Sequence, residues 1–346
     1  MPPETTTRAR PVREVLAWSR GMVQPALRAA VDGLPASVRH VAGYHLGWWD
    51  EHGDPTDAGG GKAIRPVLAQ LAAEAVGGDA TTAVPAAAAV ELVHNFTLLH
   101  DDVLDGDRTR RHRPAAWHVF GVPDAILTGD AMLALAFDVL AASGHPAALS
   151  GVRVLNAAVL DLVGGEQADL AFERRHDIGV AECVAMVEHK TAGLLACACA
   201  LGAMFAGAGP AEVAGLRDFG LRLGVAFQHV DDLLGIWGDA TVTGKPVHGD
   251  LRARKKSLPV VAALTSDTPA GRELAALYEG DGQPVAADPA RAARLVEEAG
   301  GRAWSERQAE LLLDQALRRL DPIASSAPRA AAELAALART IVRRDH

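Results

Sequence analysis

The sequence is poor in cysteine, in aromatic residues and in net positive charge. Its three cysteines, Cys183, Cys197 and Cys199, are odd in number and lack paired spacing with histidines, which argues against a disulfide framework or a structural zinc site. A formal net charge of -9 disfavours a general nucleic-acid binder, because a phosphate backbone is held by a basic surface. A charge or a break interrupts every apolar run before about 18 residues, so we expect no stable membrane insertion and a cytoplasmic location.

Apolar residues recur at three- and four-residue steps over most of the chain, and no long run alternates as a strand would. This periodicity predicts helices over residues 84–105, 124–144, 150–172, 180–209 and 212–239. We therefore predict an all-α fold in which long apolar helices pack as a bundle. Residues 1–15 are expected to be a flexible N-terminus and residues 16–346 a single domain.

Two clusters of aspartates stand out among the polar residues. Asp101, Asp102 and Asp105 share one face near the end of a predicted helix, and Asp231 and Asp232 lie near the end of another. Carboxylates this close repel one another, and a hard divalent cation such as Mg²⁺ relieves the repulsion. A lone aspartate pair is usually a solvated helix end. Because two such clusters occur, each followed by arginine or lysine, we favour a diphosphate bridged by magnesium ions.

Basic residues lie in a glycine-rich loop, after the first aspartate cluster and inside one apolar helix. The stretch "GGGKAIRP" offers Lys62 and Arg65 to an anion beside the start of a helix. Arg110 and Arg111 suit bidentate phosphate contacts, although an exposed basic turn would explain them if no acceptor lay nearby. Lys190 interrupts an apolar helix and needs an anionic partner there. These residues indicate local anion binding in an otherwise acidic protein.

Six short motifs follow one another along the chain: "GGK..RP" (Gly60–Pro66), "DDVLD" with "RR" (Asp101–Arg111), "GGEQADL" (Gly164–Leu170), "KT" (Lys190–Thr191), "FQHVDD" (Phe227–Asp232) and "GKPVHGDL" (Gly244–Leu251). In this combination the chain resembles the all-trans polyprenyl diphosphate synthases, which elongate isoprenoids head to tail. The resemblance covers nearly the full length from about Gly59. It implies a single-domain isoprenoid synthase-type helical bundle with a central active-site cavity.

The resemblance also implies a reaction, a cofactor and partners. Isopentenyl diphosphate would condense with an allylic diphosphate (dimethylallyl, geranyl or farnesyl) in a homodimeric prenyltransferase. About three Mg²⁺ ions would hold the diphosphate; the implied metal residues are Asp101, Asp105 and Asp231 as ligands, with Asp102 and Asp232 in support. The implied contacts to isopentenyl diphosphate are Lys62, Arg65, His94 and Arg111, and those to the leaving diphosphate are Arg110, Lys190 and Lys245. Lys255 supplies further positive charge and is a predicted substrate-binding residue. Thr191 and Gln228 match positions whose oxygen dipoles shield the carbocation.

His94 has a second interpretation, which the residues alone leave open. It lies seven residues before Asp101, two helical turns along the same face. A histidine on an apolar helix is more often a satisfied core residue, but this face is shared with the predicted ligands, so we favour an anion contact.

Three positions depart from the family's pattern. The second motif, usually DDxxD, ends at Gly235, so one possible carboxylate is missing. Because the first aspartate of that motif is the direct ligand in the family, we expect activity to survive. Ala63 stands where arginine is common, and His112 stands where a glycine usually follows the arginine pair.

Product length in this family depends on the side chains beneath the first aspartate motif. Phe96 and Thr97 form a bulky-then-small pair that resembles geranylgeranyl (C20) synthases, whereas two aromatics would resemble farnesyl (C15) synthases. Plain core packing would also explain Phe96.

Two alternatives to a synthase share the same fold. A class I terpene cyclase would not need the isopentenyl diphosphate residues, and a regulatory subunit would not need the intact "DDVLD", so we favour the synthase.

Overall fold

The computed structural model describes residues 8–56, 61, 63–238, 247–279, 285 and 287–343. The helices in this part of the chain are α1 (Val12–Asp32), α2 (Ala36–His45), α3 (Ile64–Ala75), α4 (Val84–Leu104), α5 (Ala116–Phe120), α6 (Val122–Ala141), α7 (Ala148–Phe172), α8 (Val180–Val187), α9 (Gly193–Phe205), α10 (Pro210–Trp237), α11 (Gly249–Arg252), α12 (Leu258–Leu264), α13 (Pro269–Glu279), α14 (Pro289–Glu298), α15 (Gly301–Arg318), α16 (Asp321–Ala324) and α17 (Pro328–Val342). A 3₁₀ turn (Ala80–Ala83) precedes α4, and a π-helical turn (Glu188–Ala192) joins α8 to α9.

The all-α prediction is confirmed, and each predicted helix is present with its ends moved by a few residues. Sequence analysis missed a small antiparallel hairpin, in which β1 (Thr109–Arg110) pairs with β2 (Arg113–Pro114). At the N-terminus, α1 begins at Val12, inside the segment 1–15 that was expected to be flexible.

Contacts between Cα atoms divide the chain into two compact units. Unit 1 comprises Met1–Val159, Cys197–Arg217 and Leu320–Ala336, and unit 2 comprises Leu160–Ala196, Asp218–Arg319 and Leu337–His346. The expected single domain therefore stays a prediction.

Helix α4 is the centre of unit 1. It packs mainly against α6, and also against α3 and α1. Its first turns are a run of buried alanines, Ala86–Ala89, and apolar residues continue around its circumference. A helix that is apolar on all sides belongs in a core. The carboxylates at the C-terminal end of α4 are therefore presented by one of the best-anchored elements of this unit.

In unit 2, the second half of α10 is fixed by two apolar clusters. One cluster includes Phe172, Cys183 and Val225, and the other includes Ile236 with residues of α11 to α14. These contacts lie before and after the second aspartate pair along α10, so its backbone is held on both sides. The three cysteines are free and buried, as the sequence suggested.

Three helical segments are long and apolar enough to cross a membrane by length and composition alone: residues 80–104, 148–172 and 180–205. The sequence analysis had expected no such stretch because charges interrupt every apolar run. In the first and third segments 72% and 61% of the apolar window is buried inside the fold, since these helices form the core, whereas the figure for the second is 28%.

Candidate active site

The first aspartate cluster lies where α4 ends. Asp101 and Asp102 are in its last turn, and Asp105 follows its final residue, with an N–H that still donates to the Asp101 carbonyl at 2.8 Å. Because the backbone keeps helical angles at Asp105, the side chains of Asp101 and Asp105 stay four residues apart on one face. Asp105 is exposed and Asp101 is half-buried. Two carboxylates are therefore within reach of a ligand at this end of α4.

Asp102 points elsewhere and binds Arg110. The Arg110 Nε donates to Asp102 Oδ1 at 2.7 Å, and a terminal guanidinium nitrogen contacts the same oxygen. Asp102 is 1% exposed, and its Oδ2 has no hydrogen-bond partner among the described residues. Burial raises the pKa of this carboxyl group, although Arg110 acts in the opposite direction. Asp102 thus anchors an arginine beside the two accessible carboxylates, which fits the supporting role expected of it.

The hairpin that carries Arg110 and Arg111 turns through two left-handed residues. Thr109 pairs with Pro114 and Arg110 with Arg113, so Arg111 and His112 form a two-residue loop, with φ values of 52° and 62°. A loop with positive φ at both central residues is the type I′ geometry, which favours glycine or asparagine. This explains why a glycine usually follows the arginine pair: His112 adopts a conformation that costs about 1–2 kcal/mol for a residue with a Cβ atom.

Several contacts fasten this strained loop to unit 1. Arg113 donates to the carbonyls of Tyr44, at 3.1 Å, and Trp49, at 3.0 Å, and its guanidinium lies over the Tyr44 ring. The Tyr44 hydroxyl donates in turn to the Pro114 carbonyl at 2.8 Å. The surrounding structure therefore fixes the positions of the two arginines before any ligand binds.

A group of buried charges lies two to three turns before the aspartates on α4. Arg65, at the start of α3, and Arg111 flank the buried Glu91. Arg65 Nε and Arg111 Nη1 are buried, and neither has a hydrogen-bond partner within the described residues. Burial lowers the pKa of Arg65 to about 10 and also lowers that of Arg111. Two desolvated guanidiniums facing a single carboxylate retain excess positive charge, which suits a polyanion.

His94 and Asn95 belong to the same group. Asn95 donates to Glu91 Oε1 at 3.2 Å, and Arg111 Nη2 donates to Asn95 Oδ1 at 3.4 Å. Burial, followed by the charges of Arg65 and Arg111, lowers the pKa of His94 well below its ordinary value. Without a bound anion, His94 is therefore neutral near pH 7. Sequence analysis missed Glu91 and Asn95; Glu91 lies one turn before His94, and that spacing was the available signal.

Beneath Asp101, the proposed product-length residues lie in the core of unit 1. Phe96 and Thr97 are 7% and 8% exposed. The Phe96 ring meets the His100 ring edge-on, with centroids 4.8 Å apart. His100 is held by a hydrogen bond between its Nε2 and the Ile126 carbonyl at 3.0 Å, and its ring fills the space that any side chain at Gly129 would need. Two successive rings on α4 are therefore braced against α6.

In unit 2, the second aspartate pair also has one exposed and one buried member. Asp231 is exposed, whereas Asp232 is buried and accepts two hydrogen bonds, from Gln228 Nε2 at 2.7 Å and from the Leu258 N–H at 2.9 Å. Thr191 Oγ1 donates to Gln228 Oε1 at 2.9 Å. Burial raises the pKa of Asp232 to about 7. Asp232 orients Gln228 and Thr191 and leaves Asp231 as the accessible carboxylate.

Lys190 has the anionic partner that its position demands. It sits in the π-helical turn, and its Nζ lies 2.7 Å from Glu166 Oε2 and 2.6 Å from Asp169 Oδ2, both on α7. Burial lowers the pKa of Lys190, but Asp169 and Glu166 outweigh it and raise the pKa to about 12. The partners come from "GGEQADL", a motif that sequence analysis noted without assigning its acidic residues. Lys190 is thus a fixed cation in a carboxylate cluster.

The two adjacent lysines before α12 have different partners. Lys255 lies among carboxylates: burial lowers its pKa, and Asp250, followed by Asp232 and Asp169, raises it well above the ordinary value. Lys256 is buried and donates to the Phe172 carbonyl at 2.5 Å and to that of Arg175, so it caps the C-terminal end of α7. Lys256 is thus committed to backbone carbonyls, and the contact of Lys255 with a diphosphate stays a prediction. Lys62 and Lys245, two further predicted contacts, lie outside the described residues.

The carboxylates do not form a closed metal cage. Within the described residues, no group of three or more His, Cys, Asp or Glu side chains could hold a metal ion. The accessible donors are nevertheless all carboxylate oxygens, presented singly or in pairs. This arrangement fits Mg²⁺, which is usually held by one or two carboxylates together with substrate phosphates. The donor set therefore suits an ion whose coordination is completed by a diphosphate.

Comparisons with known proteins agree with this geometry. The polyprenyl synthetase family matches residues 48–295 of the chain. The chain belongs to the polyprenyl synthetase family. It is 44% identical over 345 residues to the (2E,6E)-farnesyl diphosphate synthase of Mycobacterium tuberculosis, covering 99% of this chain and 96% of that one. It is 45% identical over 334 residues to the geranylgeranyl diphosphate synthase of the same organism, covering 96% and 94%. The polyprenyl synthetase of Streptomyces coelicolor A3(2) matches with a TM-score of 0.88 at 44% identity, covering 96% of this chain and 99% of that one.

Membership of the polyprenyl synthetase family makes the chain a prenyltransferase, as the resemblance implied. The curated relatives are prenyl diphosphate synthases, which supports a synthase over the terpene cyclase and the regulatory subunit. The two mycobacterial relatives bear C15 and C20 names at nearly equal identity, so identity does not decide the product length.

Proposed function

We propose that this polyprenyl synthetase condenses isopentenyl diphosphate with an allylic diphosphate and releases geranylgeranyl diphosphate (C20). The observation that carries the proposal is the pair of buried donors on Arg65 and Arg111, which have no partner among the described residues. A buried, uncompensated N–H is costly, so the pair supports a site built for an anion that is present during function. The same helix, α4, ends in the accessible carboxylates Asp101 and Asp105.

The isopentenyl diphosphate contacts are assigned to unit 1. Arg65 and Arg111 hold the diphosphate with charged N–H donors, and His94, which is neutral, adds a hydrogen bond. Before substrate binds, the Glu91 carboxylate neutralises part of the positive charge of Arg65 and Arg111. Lys62 is assigned to the same diphosphate on the basis of its motif.

The contacts to the allylic diphosphate are assigned from the family resemblance, by position in the motifs. The accessible carboxylates Asp101, Asp105 and Asp231 would hold about three Mg²⁺ ions, with Asp102 and Asp232 in support. When bound, the ions supply Lewis-acid stabilisation of the leaving diphosphate. Arg110, Lys190, Lys245 and Lys255 neutralise the charge that grows on it.

The protein's part in the remaining chemistry is orientation. The allylic C–O bond breaks, the bonding electrons leave with the diphosphate, and the isopentenyl double bond forms a new C–C bond to the allylic carbon. The Thr191–Gln228 hydrogen bond fixes oxygen dipoles that face the transient cation, because Asp232 holds the Gln228 amide in place. The proton that is lost goes to the departed diphosphate, so no protein base is required.

We assign the C20 length to the Phe96 ring, which His100 braces, together with the smaller Thr97. A farnesyl product is the competing assignment, because the relative at 44% identity is named for it.

We further propose a cytoplasmic homodimer. Helix α7 supports the dimer, because Leu149, Leu160 and Val163 are 67%, 64% and 50% exposed. Apolar side chains spaced along one helix are typical of a surface that a partner covers. Light scattering of the purified protein should give twice the chain mass, and a monomer in dilute solution would contradict the assignment.

The function is tested with purified protein, Mg²⁺, farnesyl diphosphate and labelled isopentenyl diphosphate. Elongation to a C20 diphosphate is expected, whereas a hydrocarbon product would indicate a cyclase and an absence of turnover a regulatory subunit. Arg65→Ala and Arg111→Ala should each raise the KM for isopentenyl diphosphate by about 10- to 100-fold, the loss of a charged hydrogen bond, and change the KM for farnesyl diphosphate less. Arg318→Ala, which removes an exposed arginine of α15, is the matched control.

A further inference from the structure

A cavity of about 280 Å³ lies beside the group of buried charges in unit 1. Its walls come from α1, from the segment between α2 and α3 and from the start of α3, and Glu91 of α4 also lines it. Arg65, His94 and Arg111, which are assigned to isopentenyl diphosphate, are not among its lining residues. The volume is close to the lower end of small-molecule pockets, roughly 300 Å³. The cavity is therefore a separate compartment next to the substrate residues.

The inner wall of the cavity is apolar and is formed without a ligand. Val23 and Leu27 of α1, and Leu46 and Trp48 of the segment after α2, are each at most 9% exposed. The Thr56 N–H donates to the Trp48 carbonyl at 3.1 Å, which closes this segment into a loop. A preformed apolar wall favours a ligand with an apolar chain.

The outer edge of the cavity is polar and basic. Arg20, Gln24 and Arg28 are spaced four residues apart on α1, so they share one face of the helix over about 12 Å. The Arg28 guanidinium lies 4.4 Å from the centroid of the Trp48 ring, and Arg20 Nη2 donates to the Gly61 carbonyl at 3.0 Å. Among the described residues, neither arginine forms a salt bridge with a carboxylate. Both can therefore attract an anion.

Ala63 lines the cavity at the position where arginine is common in the family. An arginine side chain would occupy space that alanine leaves open. The φ of 47° at Ala63 is left-handed, and alanine shares the resulting strain with every residue that has a Cβ atom, so alanine brings no conformational advantage here. The consequence of this departure from the family pattern is thus an open space beside the start of α3.

Glu91 connects the cavity with the substrate residues. Burial raises the pKa of Glu91, and Arg65, Arg111 and Arg20 are among the groups that lower it. Three guanidiniums therefore act on one carboxylate, and the excess positive charge extends from the substrate residues to the Arg20 end of the cavity. An anion bound at Arg20 and a diphosphate bound at Arg65 and Arg111 would repel each other.

We propose that this cavity binds an amphiphile with one apolar chain and one anionic head, and that the bound amphiphile lowers the affinity for isopentenyl diphosphate. The head, a phosphate or a carboxylate, pairs with Arg20, and the chain follows the apolar wall toward Trp48. The second part of the proposal rests on the proposed function, because the two anions share one region of positive charge on either side of Glu91.

Binding is tested by calorimetric titration of the full chain with decyl phosphate, in EDTA and without Mg²⁺. Arg20→Gln should weaken binding by about 10-fold or more, the loss of a charged hydrogen bond. Ala63→Leu should weaken it similarly, because the larger side chain fills the space beside Arg20 without adding charge. Arg28→Gln is the matched control: it removes the same charge from the same helix and should change the affinity less. Arg111→Ala should still bind decyl phosphate.

Three further ligands identify what the cavity recognises. Decanol, which lacks the charge, and inorganic phosphate, which lacks the chain, should each bind at least about 10-fold more weakly than decyl phosphate. Decanoate should bind as well; a tighter fit of decanoate indicates a fatty acid, and a tighter fit of decyl phosphate indicates a phosphorylated lipid. The inference is overturned if Arg20→Gln and Arg28→Gln weaken binding equally, which indicates adsorption to a basic surface, or if only Arg111→Ala abolishes it, which indicates the substrate site.

The coupling is measured as the KM for isopentenyl diphosphate. Saturating decyl phosphate should raise this KM by about 5-fold or more in the unmodified protein and leave it unchanged in Ala63→Leu. An equal rise in both proteins means competition at the catalytic site and refutes the coupling. If the titrations behave as described but the protein elongates nothing, the amphiphile site stands and the proposed function fails. If elongation is observed and decyl phosphate does not bind, the function stands and the inference fails.

Discussion

Replacing Phe96 with alanine is expected to lengthen the product. The Phe96 side chain is 7% exposed, and its ring is braced by His100, which is itself fixed to the Ile126 carbonyl. The ring therefore has little freedom to swing aside for a growing chain. Its removal opens space beside α4, five residues before the proposed ligand Asp101.

The size of the change follows from the atoms that are removed. Phe96→Ala deletes the six ring carbons, and one isoprene unit adds five, so the product should grow from C20 to about C25, provided that the cavity stays open. Truncation of a buried phenylalanine costs about 3–5 kcal/mol of stability. Phe96→Leu, a smaller truncation, should give a mixture of C20 and C25 at a smaller loss of stability.

Product length is measured by mass spectrometry after dephosphorylation, beside a thermal unfolding scan. Phe205→Ala is the matched control, because Phe205 is also buried in unit 1, stacked on His145 with centroids 4.5 Å apart, but lies on α9. It should lose similar stability and keep the C20 product. If folded Phe96→Ala makes the same products as the unmodified protein, the assignment of Phe96 as the length-setting residue is wrong.

Three further predictions concern stability and the division of roles. His112→Gly should raise the free energy of unfolding by about 1 kcal/mol in a denaturant titration, because glycine adopts the left-handed φ of 62° without strain, and no gain would contradict the strain at this turn. Lys256→Met should lower the free energy of unfolding by about 1–3 kcal/mol, since buried carbonyls lose their donor. Lys255→Met should reduce turnover with a smaller loss of stability. Equal effects of the two substitutions on stability and turnover would refute the separate roles of the two lysines. Burial lowers the pKa of His229 to about 4 from 6.5. The neutral imidazole therefore contributes its full stability above pH 6.5, and about 3 kcal/mol of the free energy of unfolding is lost as the pH falls toward 4. His229→Gln should flatten this part of the pH profile of unfolding.

The fold was predictable wherever one strong periodicity ran for many residues. Helices α4, α7 and α10 are long and apolar, and the sequence located them to within a few residues. The hairpin at residues 109–114 was missed for a physical reason: its loop residues, Arg111 and His112, are poor formers of a left-handed turn. There the contacts of Arg113 with Tyr44 and Trp49 override local preference, and tertiary contacts of this kind leave no local pattern in the sequence.

For the site, the sequence identified residue types better than their orientation. It identified both aspartate pairs, but it could not show that Asp102 and Asp232 turn inward while Asp101 and Asp231 remain accessible. Adjacent residues on a helix point in directions about 100° apart. Where two adjacent aspartates lie at the edge of the core, one side chain is therefore buried and the other is exposed. Which aspartate of each pair turns inward depends on where a hydrogen-bond donor lies: Arg110 binds Asp102, and the Leu258 N–H binds Asp232.

The two departures at His112 and Gly235 have opposite physical characters, and each makes sense only in three dimensions. At His112, a side chain occupies a position that favours glycine, and the anchored hairpin tolerates the strain. At Gly235, a glycine occupies a position that usually carries a carboxylate, and Asp250 stands in the space that is released. At the hairpin the arginines stay in place, because Arg113 fixes the turn through the carbonyls of Tyr44 and Trp49. A departure from a motif must therefore be judged from its neighbours in space: the contacts of Arg113 at the His112 turn, and the Asp250 carboxylate beside Gly235.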